Sequence, residues 1–217
     1  MEKPVLLARL HWLGHDSFRL DGPPVIYFDP WKLAAGSPQA GIVLVSHGHD
    51  DHCSPDDIAR ISGPDTLVVA SPHAAARLKG AKIIRAGEKL VVADPLATQG
   101  DQRVTIEAVP AYNTNKKFHP KDAGHVGYVV SVGGERIYFA GDTDHIPEMK
   151  AIRCDIALLP VSGVYVMTAA EAVAACRDIR PVVAVPMHYG AGVAGSEADA
   201  RFFCERVGEG AVMLAQE

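Results

Sequence analysis

The chain has 217 residues, 48% of them hydrophobic, enough apolar material to bury a sizeable core. Its net charge of -5 argues against a general nucleic-acid binder, which carries a basic surplus. Four widely spaced cysteines with no Cys-x-x-Cys pair exclude a disulfide framework, and with no apolar run long enough for a signal peptide or membrane helix the expectation is a cytoplasmic protein with reduced thiols.

Short apolar runs rich in β-branched residues, punctuated by Gly and Pro, predict strands in chain order. They fall at Leu6–Leu10, Ser17–Leu20, Val25–Phe28 and Ile42–Ser46. Ser54 followed by Pro55, Asp56 and Asp57 then supplies a cap, a first-turn proline and first-turn acids for a helix to about Ile61. A strand at Thr66–Ala70 precedes a second Ser-Pro signal, Ser71-Pro72, with a helix to about Leu78. Strands follow at Lys82–Ile84, Leu90–Val92, Val104–Val109, Gly127–Val132 and Arg136–Ala140, the last two joined by a Gly133-Gly134 hairpin turn. After a strand at Ile156–Leu159, Thr168-Ala-Ala-Glu171 forms a capping box for a helix to about Asp178. The chain closes with a strand at Val182–Val185, a helix capped by Ser196 and ended by Gly208, and a strand at Ala211–Leu214. No repeat, low-complexity run or linker interrupts residues 1–217, which read as one domain of two mixed sheets with helices packed outside.

Ten histidines stand among only 21 lysines and arginines, and their grouping carries the chemistry. Ser46-His47-Gly48-His49-Asp50-Asp51-His52 follows the apolar run Ile42-Val43-Leu44-Val45. So many polar side chains after a buried strand are costly unless something satisfies them. Residues two apart in extended backbone point the same way, so His47 and His49 can aim at one ion. Asp51 and His52, a turn further on, can reach a second. Gly48 omits a side chain where the backbone must crowd the site. Asp142, just past the strand Arg136–Ala140, offers a carboxylate able to bridge two cations, and His188 follows the last apolar strand but one. Read singly, Asp142 is a turn residue and His188 a packed histidine; with the first motif present, both are candidate ligands. Imidazole and carboxylate without thiolate suit two divalent ions, zinc first, with manganese, iron or nickel as alternatives. Cys53 is read as structural.

The order His47-x-His49-x-Asp51-His52, Gly141-Asp142-Thr143, His188 resembles the metallo-β-lactamase superfamily. Leu13-Gly14-His15-Asp16-Ser17-Phe18, Phe28-Asp29-Pro30-Trp31 and Pro186-Met187-His188-Tyr189-Gly190 look like the branch of ascorbate-6-phosphate lactonase-like and N-acyl-phosphatidylethanolamine phospholipase-like proteins. The resemblance implies an α/β fold, a four-layer αββα sandwich, with His47 and His49 on one metal, Asp51, His52 and His188 on the other, and Asp142 between them. One position departs from the pattern: Asn113 stands where a third histidine for the first metal is usual. His119, six residues on, is the preferred replacement and His125 a weaker one. Otherwise the first metal has only His47, His49, Asp142 and water.

The implied activity is hydrolysis of a small, anionic ester, lactone or phosphodiester by a water activated between two metals. Asp51 is the expected catalytic group, orienting the nucleophile and accepting a proton, with Asp50 and Thr143 fixing ligand orientation. His15, Asn113 and Tyr165 are candidates to line the substrate pocket, and Lys116, Lys117 and Lys121 to attract an anion. Competing readings are a nuclease or nucleotide phosphodiesterase, disfavoured by the acidic charge; a redox di-iron protein, whose class carries glutamate where His49 stands; and a non-catalytic metal-binding protein.

Overall fold

The computed structural model describes residues 2–93 and 103–217. Two six-stranded mixed sheets face each other. The first runs in sequence order: β1 (Leu10–Gly14), β2 (Ser17–Leu20), β3 (Ile26–Phe28), β4 (Ile42–Val45), β5 (Leu67–Ala70) and β6 (Lys82–Ile83). Its first three strands pair antiparallel and the rest parallel. The second runs in reverse: β12 (Val183–Met187), β11 (Ile156–Pro160), β10 (Glu135–Phe139), β9 (Val126–Val132), β8 (Val104–Pro110) and β7 (Lys89–Val92). It is parallel from β12 to β10 and antiparallel thereafter.

Period-two alternation sorts the side chains between layers. Ile26, Phe28, Ile42 and Leu44 point between the sheets and meet Ile106, Tyr128, Ile137 and Phe139. The alternate residues Tyr27, Val43 and Val45 point outward, against Ile58 and Ile61 of α1 (Pro55–Ile61) and Ala74 of α2 (Pro72–Ala75). On the far face α3 (Ala169–Ile179) packs on β11 and α4 (Glu197–Val207) on β12. The result is helix, sheet, sheet, helix, with parallel strands buried on both faces as crossover helices require. Phe28 and Phe139 meet at 5.3 Å between ring centroids, bridging the two sheets.

Three expected elements differ. Leu6–Leu10 is not a strand: Val5–Arg9 forms a 3-10 turn and the strand begins at Leu10. The Glu135 carboxylate accepts from Val5 N at 2.7 Å and Leu6 N at 2.8 Å, replacing ladder partners. The helix expected to reach Leu78 stops at Ala75, because Arg77 N and Leu78 N bond three residues back in a tighter turn. Ala211–Leu214 is not a strand either. It makes isolated bridges, Ala211 to Ala184 of β12 and, just beyond the segment, Gln216 to Trp12 of β1. A segment crossing from one sheet to the other can ladder with neither. The Gly133-Gly134 hairpin forms as expected, both glycines at positive φ as a two-residue turn of this kind demands.

Candidate metal centre

Loops from both sheets converge at one edge of the sandwich. The first sheet sends the β1–β2 turn with His15 and Asp16, Asp29 after β3, and the 46–52 loop after β4; the second sends Asn113–His119 after β8, Asp142 after β10 and His188 after β12. His15, Asp29, His119 and His188 all have positive φ. Such backbone costs of order 1 kcal/mol or more per residue and collects where a site over-determines it. Gly48 has the expected reason: a Cβ there would sit 2.9 Å from the His73 carbonyl oxygen.

His47, His49 and His119 form one group. His47 Nε2 lies 3.0 Å from His49 Nδ1, and His119 Nε2 lies 3.1 Å from the same atom. The far side of each ring sets its tautomer. His119 Nδ1 faces the Tyr165 carbonyl at 3.2 Å, which can only accept, so Nδ1 carries the proton and Nε2 is bare. His47 Nδ1 donates to Ser46 Oγ at 2.9 Å, whose own hydroxyl donates to Asp29 Oδ2 at 2.5 Å. Burial holds all three rings below the ordinary histidine pKa. Three neutral rings thus aim lone pairs at one another across about 3 Å, an arrangement that a cation reconciles.

A second group gathers on the other side of Asp142. His52 Nε2 is 3.3 Å from Asp142 Oδ1, and His188 Nε2 is 3.5 Å from Oδ2, the oxygen that also meets His119 at 3.3 Å and His47 at 3.9 Å. His52 Nδ1 donates to Asp29 Oδ2 at 2.8 Å, so this one buried carboxylate orients a ring in each group. Ser162 Oγ pairs with His188 Nδ1 at 2.8 Å. The inward atoms His52 Nε2, His188 Nε2 and Asp142 Oδ1 are buried with no hydrogen-bond partner, a rare condition that asks for a bound ion. Burial works against charge on both rings, but the surrounding carboxylates together outweigh it: Asp142 with Asp16 raises His188 to about 9, and Asp142 with Asp29 and Asp16 raises His52 well above its usual range. Protons there occupy the coordination positions that an ion would take by displacing them.

Asp51 lies beside this group, Oδ2 3.7 Å from His52 Nε2 and 3.1 Å from His15 Nε2. Burial pushes its carboxyl up, but the His15 hydrogen bond and the His52 charge outweigh that and bring it to about 2. A cavity of about 360 Å³ opens over both groups, with His49, Asp51, His119 and Asp142 on its floor and Trp31, Phe118, Tyr165 and Val193 on its walls. A slightly larger one, about 390 Å³, lies by Arg9, Gly22 and Gly133 at the opposite end of β10 and gathers no metal-ligating side chains.

Two of the three pocket candidates lie away from the cavity wall. His15 is fully buried under Asp51 against the His188 ring, and does not reach the cavity wall. Asn113 is buried too: its Nδ2 donates to the Tyr165 carbonyl at 2.7 Å and its backbone N–H to that of His119 at 2.8 Å, so it shapes the His119 loop instead of facing substrate. Tyr165 does line the cavity. Nor do the lysines reach it. Lys116 pairs with Asp144, Lys121 with Glu148 at 2.9 Å, and Lys117 is absent from the wall. Asp50 pairs with Arg77 at 2.7 Å on the rim, and Thr143 bonds the Tyr112 backbone; neither holds a ligand ring. His125 stacks on His47 at 4.8 Å without joining the His47, His49, His119 group. Sequence reasoning passed over Asp16 and Asp29 as site groups, although a charged residue flanked by buried strand residues was the available signal.

A family model described as the β-lactamase superfamily domain matches residues 9–188. The chain belongs to the metallo-β-lactamase superfamily. Within the superfamily it is a member of the UPF0173 metal-dependent hydrolases. The relative from Thermoplasma acidophilum is 32% identical, covering 83% of each chain. That from Methanoculleus marisnigri is 34% identical, covering 83% of this chain and 80% of its own. Among solved structures, a candidate metal-dependent hydrolase from Parabacteroides distasonis superposes with a TM-score of 0.81 at 30% identity, over 96% of this chain and 93% of that one. A metallo hydrolase from Ignicoccus hospitalis gives 0.65 at 26%, over 83% and 82%. This superfamily member is accordingly a metal-dependent hydrolase.

Proposed function

We propose that the protein is a two-metal hydrolase of a small ester or lactone. The observation that carries this reading is the convergence of four imidazole nitrogens, from His47, His52, His119 and His188, within 3.9 Å of the one Asp142 carboxylate. His47, His49 and His119 would hold the first ion, Asp51, His52 and His188 the second, and Asp142 both. His119 takes the third first-site position in this reading. Zinc is the first candidate metal, with manganese, iron and nickel behind it. Bound divalent ions supply positive charge that acidifies a water and polarises the scissile bond.

The remaining work falls to the chain itself. Asp51, on the cavity floor with its ionised carboxylate fixed by His15, accepts a proton and passes it to the leaving group. Trp31, Phe118, Tyr165 and Val193 exclude water and grip an apolar arm of the substrate. The sequence favoured an anionic substrate on the strength of three lysines. The ion pairs of Lys116 and Lys121, and the absence of Lys117 from the cavity wall, move the proposal towards a neutral ester or lactone. Four unpaired cysteines suit a reducing, cytoplasmic setting, and no helix among the described residues is long and apolar enough to cross a membrane.

The test strips full-length protein with chelator, restores Zn²⁺ or Mn²⁺, and compares p-nitrophenyl esters, lactones, bis-p-nitrophenyl phosphate and RNA. Metal-dependent turnover of esters or lactones is expected, with His49→Ala losing metal and turnover together. Turnover of RNA alone, or full activity in His49→Ala, overturns the reading.

A further inference from the structure

The second cluster contains one more carboxylate than the proposed ligand set uses. Asp16, in the β1–β2 turn, is fully buried, and neither of its side-chain oxygens has a hydrogen-bond partner. An orphaned buried carboxylate loses its hydration without compensation, several kcal/mol in ordinary circumstances. The neighbouring acids Asp29 and Asp51 each accept hydrogen bonds. Asp29 takes three hydrogen bonds, and Asp51 takes one from His15. Asp16 instead faces Asp142, like charge to like, with His52 Nε2 3.6 Å from its Oδ2. A ligand atom from each of His15, Asp16, His52 and His188 lies within 4.8 Å of the others. His15 Nδ1 is likewise without a hydrogen-bond partner. The Asp16 and Asp142 carboxylates and two inward-facing ring nitrogens enclose a place for positive charge.

We propose that Asp16 is a ligand of the second metal ion, joining Asp51, His52, Asp142 and His188. This inference rests on the two-metal reading above. It gives the second site two nitrogens and three carboxylates, against three nitrogens and the shared Asp142 at the first. Five protein donors exceed the four of a closed zinc site and, with one solvent molecule, complete an octahedron; oxygen-rich octahedra suit Mn²⁺. The two sites therefore differ in hardness, with Asp16 the residue that separates them.

The test titrates metal-free, full-length protein calorimetrically with Mn²⁺ and, separately, Zn²⁺, comparing wild type with Asp16→Asn, which keeps the shape and removes the charge. Wild type is expected to take two equivalents of Mn²⁺. Asp16→Asn should keep one, with the second Mn²⁺ weakened at least about 10-fold, the lower end of what loss of a supporting group costs, and Zn²⁺ weakened less. Two equivalents in Asp16→Asn at unchanged affinity would overturn the proposal while leaving the two-metal reading intact. Fewer than two equivalents of Mn²⁺ in wild type would overturn the proposal, and fewer than two of either metal would defeat the two-metal reading as well. If Asp16→Asn does not fold, anomalous diffraction from Mn²⁺-loaded wild-type crystals decides: an Asp16 oxygen about 2.0–2.2 Å from the second ion is expected, and one beyond about 3 Å refutes it.

Discussion

Asp29 shows how much a single side chain can organise. Its Oδ1 accepts from Ser46 N at 2.7 Å, and its Oδ2 takes Ser46 Oγ and His52 Nδ1. Through Ser46 it also fixes the His47 tautomer, so one carboxylate aims a ring in each candidate metal group. Asp29→Asn keeps the volume and tolerates the positive φ, but weakens the charge-assisted bonds. Metal affinity should fall about 10- to 100-fold with the fold retained, measured by calorimetric titration beside a circular-dichroism melt. The thiols lead to a pH prediction. Burial raises Cys53 and Cys176 to about 11, and burial together with Asp155 raises Cys154 to about 12, from an unfolded value near 9.0. A raised folded pKa on an acid means that the neutral form is favoured. Stability from this source is complete below about pH 9 and is lost as pH climbs through 11. Urea midpoints should decline from pH 8 to pH 10.5, and iodoacetamide at pH 8 should leave Cys53 unlabelled until the chain unfolds.

Among the elements, α3 has the most consequential start. Thr168 Oγ1 accepts from Glu171 N, and Glu171 returns a carboxylate to Thr168 N at 2.7 Å, closing the capping box. The same residue bridges to Ser162, so the cap closes the 162–168 loop that presents Ser162 to His188 and the Tyr165 carbonyl to His119. Thr168→Ala should cost about 1 kcal/mol, seen as a lower urea midpoint; an unchanged midpoint would mean that the cap contributes nothing. This element was readable because caps are local: Thr168-Ala-Ala-Glu171 needs nothing beyond four neighbouring residues. Leu6–Leu10 and Ala211–Leu214 carry equally strand-like patterns, yet neither is a strand. Their pairing was settled by remote groups, the Glu135 carboxylate in one case and the edges of two different sheets in the other. Local propensity cannot register a partner tens of residues or more away.

For the molecule as a whole, the site is a seam. The first sheet contributes His47, His49 and His52, and the second Asp142 and His188, so an ion held by them would tie the two halves of the sandwich together. Ions that bind the folded chain alone stabilise it by about 4 kcal/mol per site when present at a thousand times their Kd. At roughly 2–4 °C per kcal/mol for a chain of this size, chelation should lower the melting temperature by several degrees or more. Scanning calorimetry with and without EDTA checks this, and a melting curve indifferent to chelator would speak against ions at the seam.

By itself the sequence determined the alternation that makes two sheets, the capped helices outside them, and the histidine-rich loop after β4, because each depends on neighbours within a few residues. It also marked Asp142 and His188 as residues that follow buried strands. What the tertiary structure alone decided is which groups meet. His119 approaches His49 across 70 positions of chain because Asn113 and the Tyr165 carbonyl hold its loop and its ring, while Asn113 itself turns away. Lys116 and Lys121, expected over the cavity, are taken up by Asp144 and Glu148. Asp16 comes to rest against Asp142 with no hydrogen-bond partner on either oxygen. Contact between distant loops is set by how the two sheets pack, and no periodicity along the chain encodes it.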